Sequence, residues 1–485
     1  VGVKPNMGSR ELVGRYAPRP VIEDGKTTQY AADFAYLAGH LVRAMVQGQA
    51  LILEEITNAQ PEFLEVINFY LTHGYLIIHQ KGGKQISVYP HPDFRIFATG
   101  NWTHFTGRNS QSQAFWSRWR VKVWEEYPVE ETGFVISAKY GIEEMLGREL
   151  AIFQAALTTE LRARRIGKQL QGQHALNLRS LERLASRYVD ALERLKAKGA
   201  VKPEDKLKAL GKVVFLVYGS MLEGAADKQA LFDVMNQTLI LLKPDGTKIL
   251  FSDKSKKPSN LGSKYSFINV TPEELEPKII AFDDKENELI IEEETLGRFR
   301  FPKGAGSEMV PGPSARLTLV PEVTQQLFRL LLSWHYREPY LTLGERSAGK
   351  TRMAYFAAHL LRMPVIYIAH SQESNLKEII GGYYPRSDAE GIVKKTGELP
   401  PLIWLDGKEI QAMEWGKGQL PDDQVGAWLF EDDVNLSTMH EMRNTVTDDG
   451  IQSTPYRQVA AGPNFWSVKA ANPPDVVRYA GRKQL

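Results

Sequence analysis

The segment Gly344-Glu345-Arg346-Ser347-Ala348-Gly349-Lys350-Thr351 constrains this chain more than any other stretch. It satisfies the phosphate-loop pattern G-x-x-x-x-G-K-[ST] at every fixed position. That pattern works only between a strand and a helix, because the helix N-terminal N–H groups must point at phosphate. Both flanks comply. Pro339-Tyr340-Leu341-Thr342-Leu343 predicts a short buried strand. Residues 351–362 predict a helix with Met353, Phe356, Ala357 and Leu360 along one face. Val365-Ile366-Tyr367-Ile368 predicts the next strand. In that setting the backbone of Gly344, Glu345, Arg346, Ser347, Ala348 and Gly349 would wrap a β-phosphate. Lys350 would reach the β- and γ-phosphates, and the Thr351 hydroxyl would ligate Mg²⁺.

A phosphate loop needs a carboxylate partner. Gly426-Ala427-Trp428-Leu429-Phe430-Glu431-Asp432-Asp433-Val434 supplies one, an apolar strand ending in acids. Ligands of open α/β sheets sit at such strand ends. Asp432 would hold Mg²⁺ through water, and Asp433 would stand where a general base acts.

Comparing the chain with itself adds a second constraint. Glu11-Leu12-Val13-Gly14-Arg15-Tyr16 recurs as Glu378-Ile379-Ile380-Gly381-Gly382-Tyr383. Gly39-His40-Leu41-Val42-Arg43-Ala44-Met45 recurs as Gly407-Lys408-Glu409-Ile410-Gln411-Ala412-Met413. Leu51–Ile56 recurs as Leu429–Val434, and Phe94 to Asn101 as Phe465 to Asn472. Gly107-Arg108 recurs as Gly481-Arg482. The blocks keep their order at a spacing of about 370 residues, which predicts a tandem repeat of one core. Residues 417–425 read as an insertion in the second copy. A first phosphate loop is then expected upstream of Val1. The alternative is a first copy that lacks one and is structural.

On these motifs the two cores resemble AAA+ ATPase domains of the midasin and dynein-related branch, which includes the MoxR-like ATPases. The resemblance implies an α/β fold: P-loop AAA+ cores, each a parallel sheet with flanking helices, followed by a helical lid. It implies ATP and Mg²⁺ as cofactors. It places Glu54 at the metal carboxylate of the first core, Glu55 at its catalytic glutamate, and Asn101 and Asn472 at the residue that positions attacking water. Arg118, in Ala114-Phe115-Trp116-Ser117-Arg118, takes the arginine-finger position, and Arg179 the sensor position of the lid. Taken singly, those two arginines would read as surface or salt-bridged residues. Asn177 is also placed to N-cap a helix. Three departures stand out: Glu54 replaces the usual Asp, Asp433 the usual Glu, and Trp102 the usual Pro after Asn101, which the second copy keeps as Pro473.

The expected domains are a first core over 1–132, a helical lid over 133–240, a small β-rich linker over 241–312 and a second core over 313–485. Leu178, Leu181, Leu184, Tyr188, Leu192 and Leu195 form a helical stripe that reads as core packing. Lys196 to Lys212 reads as a solvated connection between helices.

The same resemblance implies ATP-driven remodelling or release of a protein or ribonucleoprotein partner. Neighbouring AAA+ domains, six in all, would form a ring, and a partner with a von Willebrand-type metal-adhesion (MIDAS) domain is expected. The location would be cytoplasmic, or nuclear for a eukaryotic midasin-type protein. Two other readings stay open. One is a nucleic-acid-stimulated motor of a restriction or phage-defence type, for which Gln80-Lys81-Gly82-Gly83-Lys84 is a candidate pore hairpin. The other is a nucleotide-binding scaffold with weak hydrolysis. Composition removes much else. There are no cysteines, so thiolate metal sites and cysteine nucleophiles are excluded. The ten histidines form no H-E-x-x-H pair. The net charge of +2 argues for neither nucleic acid nor anionic membrane, and no apolar run reaches the ~18 residues of a membrane span.

Overall fold

The computed structural model describes the chain apart from residues 4–6, 24–25, 80–83, 101–111, 126, 164, 168–175, 223, 244, 253–263, 346, 372–373, 386–401, 437–445, 447–449, 455–456 and 473–485. Two compact units emerge. The first comprises Val1–Val123, Ala305–Ala315 and Arg337–Leu485; the second comprises Trp124–Gly304 and Arg316–Tyr336.

The first unit opens with α1 (Ser9–Leu12), the hairpin β1 (Gly14–Glu23) and β2 (Lys26–Ala38), α2 (His40–Gln47) and β3 (Ala50–Leu53). Helix α3 (Pro61–His73), the hairpin β4 (Leu76–His79) and β5 (Gln85–Val88), β6 (Arg95–Ala98) and α4 (Gln113–Trp116) follow. Strands β3 and β6 run parallel, with Ile52 opposite Phe97. Leu41, Met45, Leu53, Phe63, Ile67 and Phe115 fill the core beneath them.

The second unit begins with helices α5 (Val129–Tyr140), α6 (Glu144–Arg162), α7 (Leu178–Lys198), α8 (Pro203–Val217) and α9 (Gly224–Thr238). It continues with β7 (Leu241–Leu242), β8 (Lys248–Leu250), β9 (Tyr265–Phe267), α10 (Pro272–Leu275), β10 (Ile279–Asp284), β11 (Glu288–Glu293), β12 (Gly297–Pro302) and α11 (Pro321–His335). The stripe on α7 packs as expected: Leu181, Leu184 and Tyr188 are buried. Asn177 caps that helix, its side-chain oxygen accepting the Ser180 N–H at 3.2 Å. Helix α11, read from sequence as the start of the second core, falls in this unit, where Phe328 meets Phe299 edge to face at 5.1 Å.

One sequence expectation fails here. The lysine-rich stretch is not a solvated connection beyond 199–202, because α8 starts at Pro203 and Lys212 is fully buried. Lys212 lies in the middle of α8, where every residue from Ala209 to Leu216 is buried, and charge counting does not see that packing. Its ammonium donates to Glu293 at 2.5 Å. The Glu293 carboxylate also accepts the N–H groups of Lys278, Thr295 and Leu296 at 2.9, 2.8 and 2.7 Å.

Glu149 on α6 has weaker compensation, and burial dominates. Burial pushes its carboxyl up to about 7, opposed by a backbone hydrogen bond at Ile240 and by Lys248. A carboxyl raised in the fold contributes most below its unfolded value, and that contribution is lost as pH climbs through the raised value. Glu149→Gln is therefore expected to match the parent near pH 4.5 and exceed it by about 1 kcal/mol at pH 8, allowing for partial exposure. Urea titrations at the two pH values check this; equal gains at both would show that ionisation is not the cause.

The first unit resumes with β13 (Tyr340–Leu343), α12 (Lys350–Leu360), β14 (Val365–Ala369), α13 (Leu376–Ile379), the strands β15 (Gly381–Pro385) and β16 (Leu402–Asp406), and α14 (Lys408–Met413). Then come β17 (Trp428–Asp432), the hairpin β18 (Ile451–Ser453) and β19 (Gln458–Ala460), and β20 (Trp466–Ala471). The sheet order is β13-β20-β17-β14, parallel throughout. Strand β17 is buried on both faces, as a central parallel strand must be. Phe430 meets Tyr355 of α12 on one face, and Leu429 packs with Ile379 and Ala412 on the other.

The same local geometry occurs at two places in the first unit. Gly39 N–H donates to Val13 O at 2.8 Å, and Gly407 N–H to Ile380 O at 2.9 Å. A Cβ on either glycine would meet the preceding helix end, Leu12 or Ile379, at 2.4 Å, so only glycine fits. His91 N–H donates to Met45 O, and Gly462 N–H to Met413 O. Val3 N–H donates to Glu54 O, and His370 N–H to Asp432 O. The hairpins following α1 and α13 join edge to edge in one sheet, order β1-β2-β16-β15.

Candidate functional site

The loop between β13 and α12 carries two positive φ angles, +63° at Ser347 and +86° at Gly349. Nothing lies within 4 Å of a Cβ added at Gly349, so φ and not space favours glycine there. The α12 ladder begins with Met353 N–H donating to Gly349 O at 2.8 Å. The turn before it therefore lies ahead of the intrahelical bonds, which is the helix end that attracts anions.

Lys350 converges on the loop and on the neighbouring strand. Its ammonium donates to Gly344 O at 2.7 Å, to Glu345 O at 2.8 Å and to Asn472 Oδ1 at 2.9 Å. Asn472, just past β20, turns its amide nitrogen to Asp433 Oδ1 at 2.6 Å. Thr351 Oγ1 donates to Asp432 Oδ2 at 3.2 Å, and Asp432 Oδ1 accepts the Asp433 N–H at 2.9 Å. The sheet thus brings together Lys350, Thr351, Asp432, Asp433 and Asn472 at the C-terminal ends of β17 and β20. Asp433 holds φ +53°, a left-handed turn that costs about 1 kcal/mol or more outside glycine. Burial raises the Tyr355 and Tyr367 hydroxyls, and the Asp432 charge beside them adds to it.

These groups fit a nucleoside triphosphate with Mg²⁺. An ammonium and a helix N-terminus suit phosphate oxygens, and a hydroxyl beside a carboxylate suits a hard cation. When bound, Mg²⁺ would neutralise charge on the phosphates.

The remaining sequence-predicted residues are distributed as follows. Glu54 and Glu55 follow β3, and Glu55 holds φ +61°, as Asp433 after β17 holds +53°. The Glu55 N–H donates to Thr99 Oγ1 at 3.4 Å. Arg118 lies on the surface of its own core, donating through Nε to Thr72 Oγ1 at 2.9 Å and through Nη1 to Ala114 O. Arg179 is exposed on the first turn of α7, in the second unit. Asn101 and Arg346 lie outside the described residues, as does the tip of the β4–β5 hairpin at 80–83. One sheet face also differs between the two segments that the sequence blocks align. Ile52 and Phe97 are 49% and 55% exposed, whereas Phe430 and Val468 in the equivalent places are 2% exposed.

Sequence reasoning missed Asn435. Its Nδ2 donates to Asn472 O at 2.8 Å and so fixes the strand end that carries the amide. Nothing in its spacing singles it out. It also missed a buried polar cluster in which Glu431 of β17 joins His370, just past β14, to Ser467 near the start of β20.

Comparison with known proteins places the class first. Residues 2–119, which carry mixed α/β structure, match the family model described as AAA domain (dynein-related subfamily). Among individual proteins, the chain is similar to midasin. It is 22% identical to the Dictyostelium discoideum midasin over 495 residues, covering 99% of this chain and 8% of that one. The Giardia intestinalis midasin is likewise 22% identical over 502 residues, covering 98% and 9%. The chain thus spans under a tenth of the length of these relatives. A crystal structure of a candidate ATPase from Cytophaga hutchinsonii aligns with 34% of this chain and 45% of its own at 14% identity. Its TM-score of 0.24 is too low to bear on the fold. No described helix is long and apolar enough to cross a membrane.

Proposed function

We propose that this chain works as an ATP-driven AAA+ motor that remodels or releases a protein or ribonucleoprotein partner. The observation that carries the nucleotide reading is the Lys350–Asn472–Asp433 chain of hydrogen bonds beside the Thr351–Asp432 contact. The recurring backbone hydrogen bonds support two copies of one core, 1–132 and 313–485, joined through a lid at 133–240 and a linker at 241–312. Glu54 and Glu55, with Asn101, would serve the first core as Asp432, Asp433 and Asn472 serve the second. Arg118 and Arg179 would act on nucleotide at domain interfaces within a ring. The remodelling output and a metal-adhesion-domain partner rest on the family resemblance.

Asp433 favours a second reading of the Lys350 site, as one that binds ATP and turns it over slowly. Aspartate is one methylene shorter than glutamate, and misplacing a base by ~1 Å costs ~100-fold. Asp433→Glu is expected to raise kcat about tenfold, with KM for ATP within twofold of the parent. Steady-state phosphate release measures both. No gain, with parent turnover intact, would show that the base stands elsewhere. Adding single- or double-stranded DNA to the same assay tests the nucleic-acid motor. Strong, salt-sensitive stimulation would replace the protein-remodelling reading.

A further inference from the structure

Behind the Lys350 site lies a polar cluster on the opposite face of the sheet. His370, just past β14, has Nε2 at 2.9 Å from Glu431 Oε2. The other Glu431 oxygen accepts Ser467 Oγ of β20 at 3.4 Å. His370 is 4% exposed, Glu431 0% and Ser467 7%. One carboxylate therefore ties the ends of β14 and β17 to each other and to the second residue of β20, and the β17 end carries Asp432 and Asp433.

The first core supplies an internal control. By the block alignment, His370, Glu431 and Ser467 stand where Val3, Leu53 and Ile96 stand. The backbone frame agrees, since Val3 N–H bonds Glu54 O as His370 N–H bonds Asp432 O. Val3 and Leu53 are buried, and Ile96 packs against the same apolar core. The fold thus builds this position from hydrocarbon alone, and it builds the same left-handed turn, at Glu55. A buried charged cluster in that place is not required for stability, and apolar side chains of similar volume are often as good or better.

The difference tracks the carboxylate. The core with apolar backing carries Glu55; the core with the hydrogen-bonded backing carries the shorter Asp433. Hydrogen bonds are directional, and apolar packing is not. A shorter side chain tolerates less displacement of the strand end that bears it. We propose that His370, Glu431 and Ser467 are positioning residues that lock the ends of β14 and β17 against the body of β20 so that Asp433 can act at the Lys350 site. This rests on the ATPase reading above.

The test transplants the first core's residues: His370→Val, Glu431→Leu and Ser467→Ile together in the full chain. ATP affinity is read by fluorescent-nucleotide titration and kcat by phosphate release. The expected result is a melting temperature no lower than the parent's, an unchanged Kd for ATP, and kcat reduced tenfold or more. In an Asp433→Glu background the same transplant is expected to cost less than threefold, because the longer side chain tolerates movement. A transplant that keeps parental kcat overturns the inference. So does an equal loss in both backgrounds, or ATP binding by the parent without turnover. Failure of the parent to bind ATP is a separate result, which removes the site reading itself. Should the triple variant not fold, Ser467→Ala removes one tie alone. It is expected to lower kcat about threefold at constant KM, and unchanged kcat again overturns the inference.

Discussion

Lys212→Ala is expected to destabilise the second compact unit by ~3–5 kcal/mol, the cost of leaving a buried charge without its partner. Both side chains of the Lys212–Glu293 pair are inaccessible to solvent. Glu293 keeps three backbone N–H donors after the substitution, which lessens the loss but supplies no countercharge. The ammonium also donates to Glu276 O at 3.2 Å, at the end of α10, so its loss loosens the joint between the helices and the β10–β12 sheet. For a unit of this size the expected drop in melting temperature is on the order of 10 °C. Lys212→Met with Glu293→Gln removes both charges and keeps one acceptor for the backbone donors. That pair is expected to recover more than half of the loss. Differential scanning calorimetry reads both; a drop under about 2 °C for Lys212→Ala would contradict the burial described for the pair.

That lysine also marks the boundary of what can be read from residues alone. The phosphate loop and the acidic strand were legible because their chemistry demands fixed residue types at fixed spacing. β13, α12, β14 and β17 appear within a residue or two of expectation, but β13 is not the buried strand expected: it lies at the sheet edge, with Leu341 and Leu343 exposed. The helical stripe on α7 and its Asn177 cap were legible for the same reason, being local periodicity and local hydrogen bonding. Three features were not. Lys212 looks solvated in sequence because its partner lies 81 positions away on another element. The long β1–β2 hairpin was hidden by Pro18 and Pro20, which argue against a strand, yet both sit in β1 beside a break in the pairing register. The His370–Glu431–Ser467 cluster joins three separate segments, and neither the acidic-strand motif nor the repeat blocks give Glu431 or Ser467 a role in it. In each case the deciding contact is long-range, and neither propensity nor spacing encodes it.

Lys350→Met is expected to weaken ATP binding by about 100-fold and to remove hydrolysis at this site. A charge-assisted hydrogen bond contributes roughly 1.5–3 kcal/mol, and a factor of 100 in affinity is about 2.7 kcal/mol. The net effect is a difference, because the ammonium has partners without nucleotide: Gly344 O, Glu345 O and Asn472 Oδ1. It must exchange some of these for phosphate oxygens on binding. Methionine keeps the length of the stem and removes only the charge, so the loop retains its packing. Asn472 keeps its bond to Asp433, and Thr351 its bond to Asp432. The carboxylate end of the site should therefore survive, which separates lost phosphate contact from general collapse. Lys350→Arg is expected to fare little better. A planar guanidinium cannot reproduce a compact ammonium converging on two carbonyls and an amide. Nucleotide titration and phosphate release measure the two effects, with thermal melting of the nucleotide-free protein as the control for folding. A Kd within threefold of the parent, at unchanged melting temperature, would mean that Lys350 does not hold phosphate. The hydrogen-bonded chain through Asn472 would then be a structural tie between β13, β17 and β20 and not a catalytic constellation.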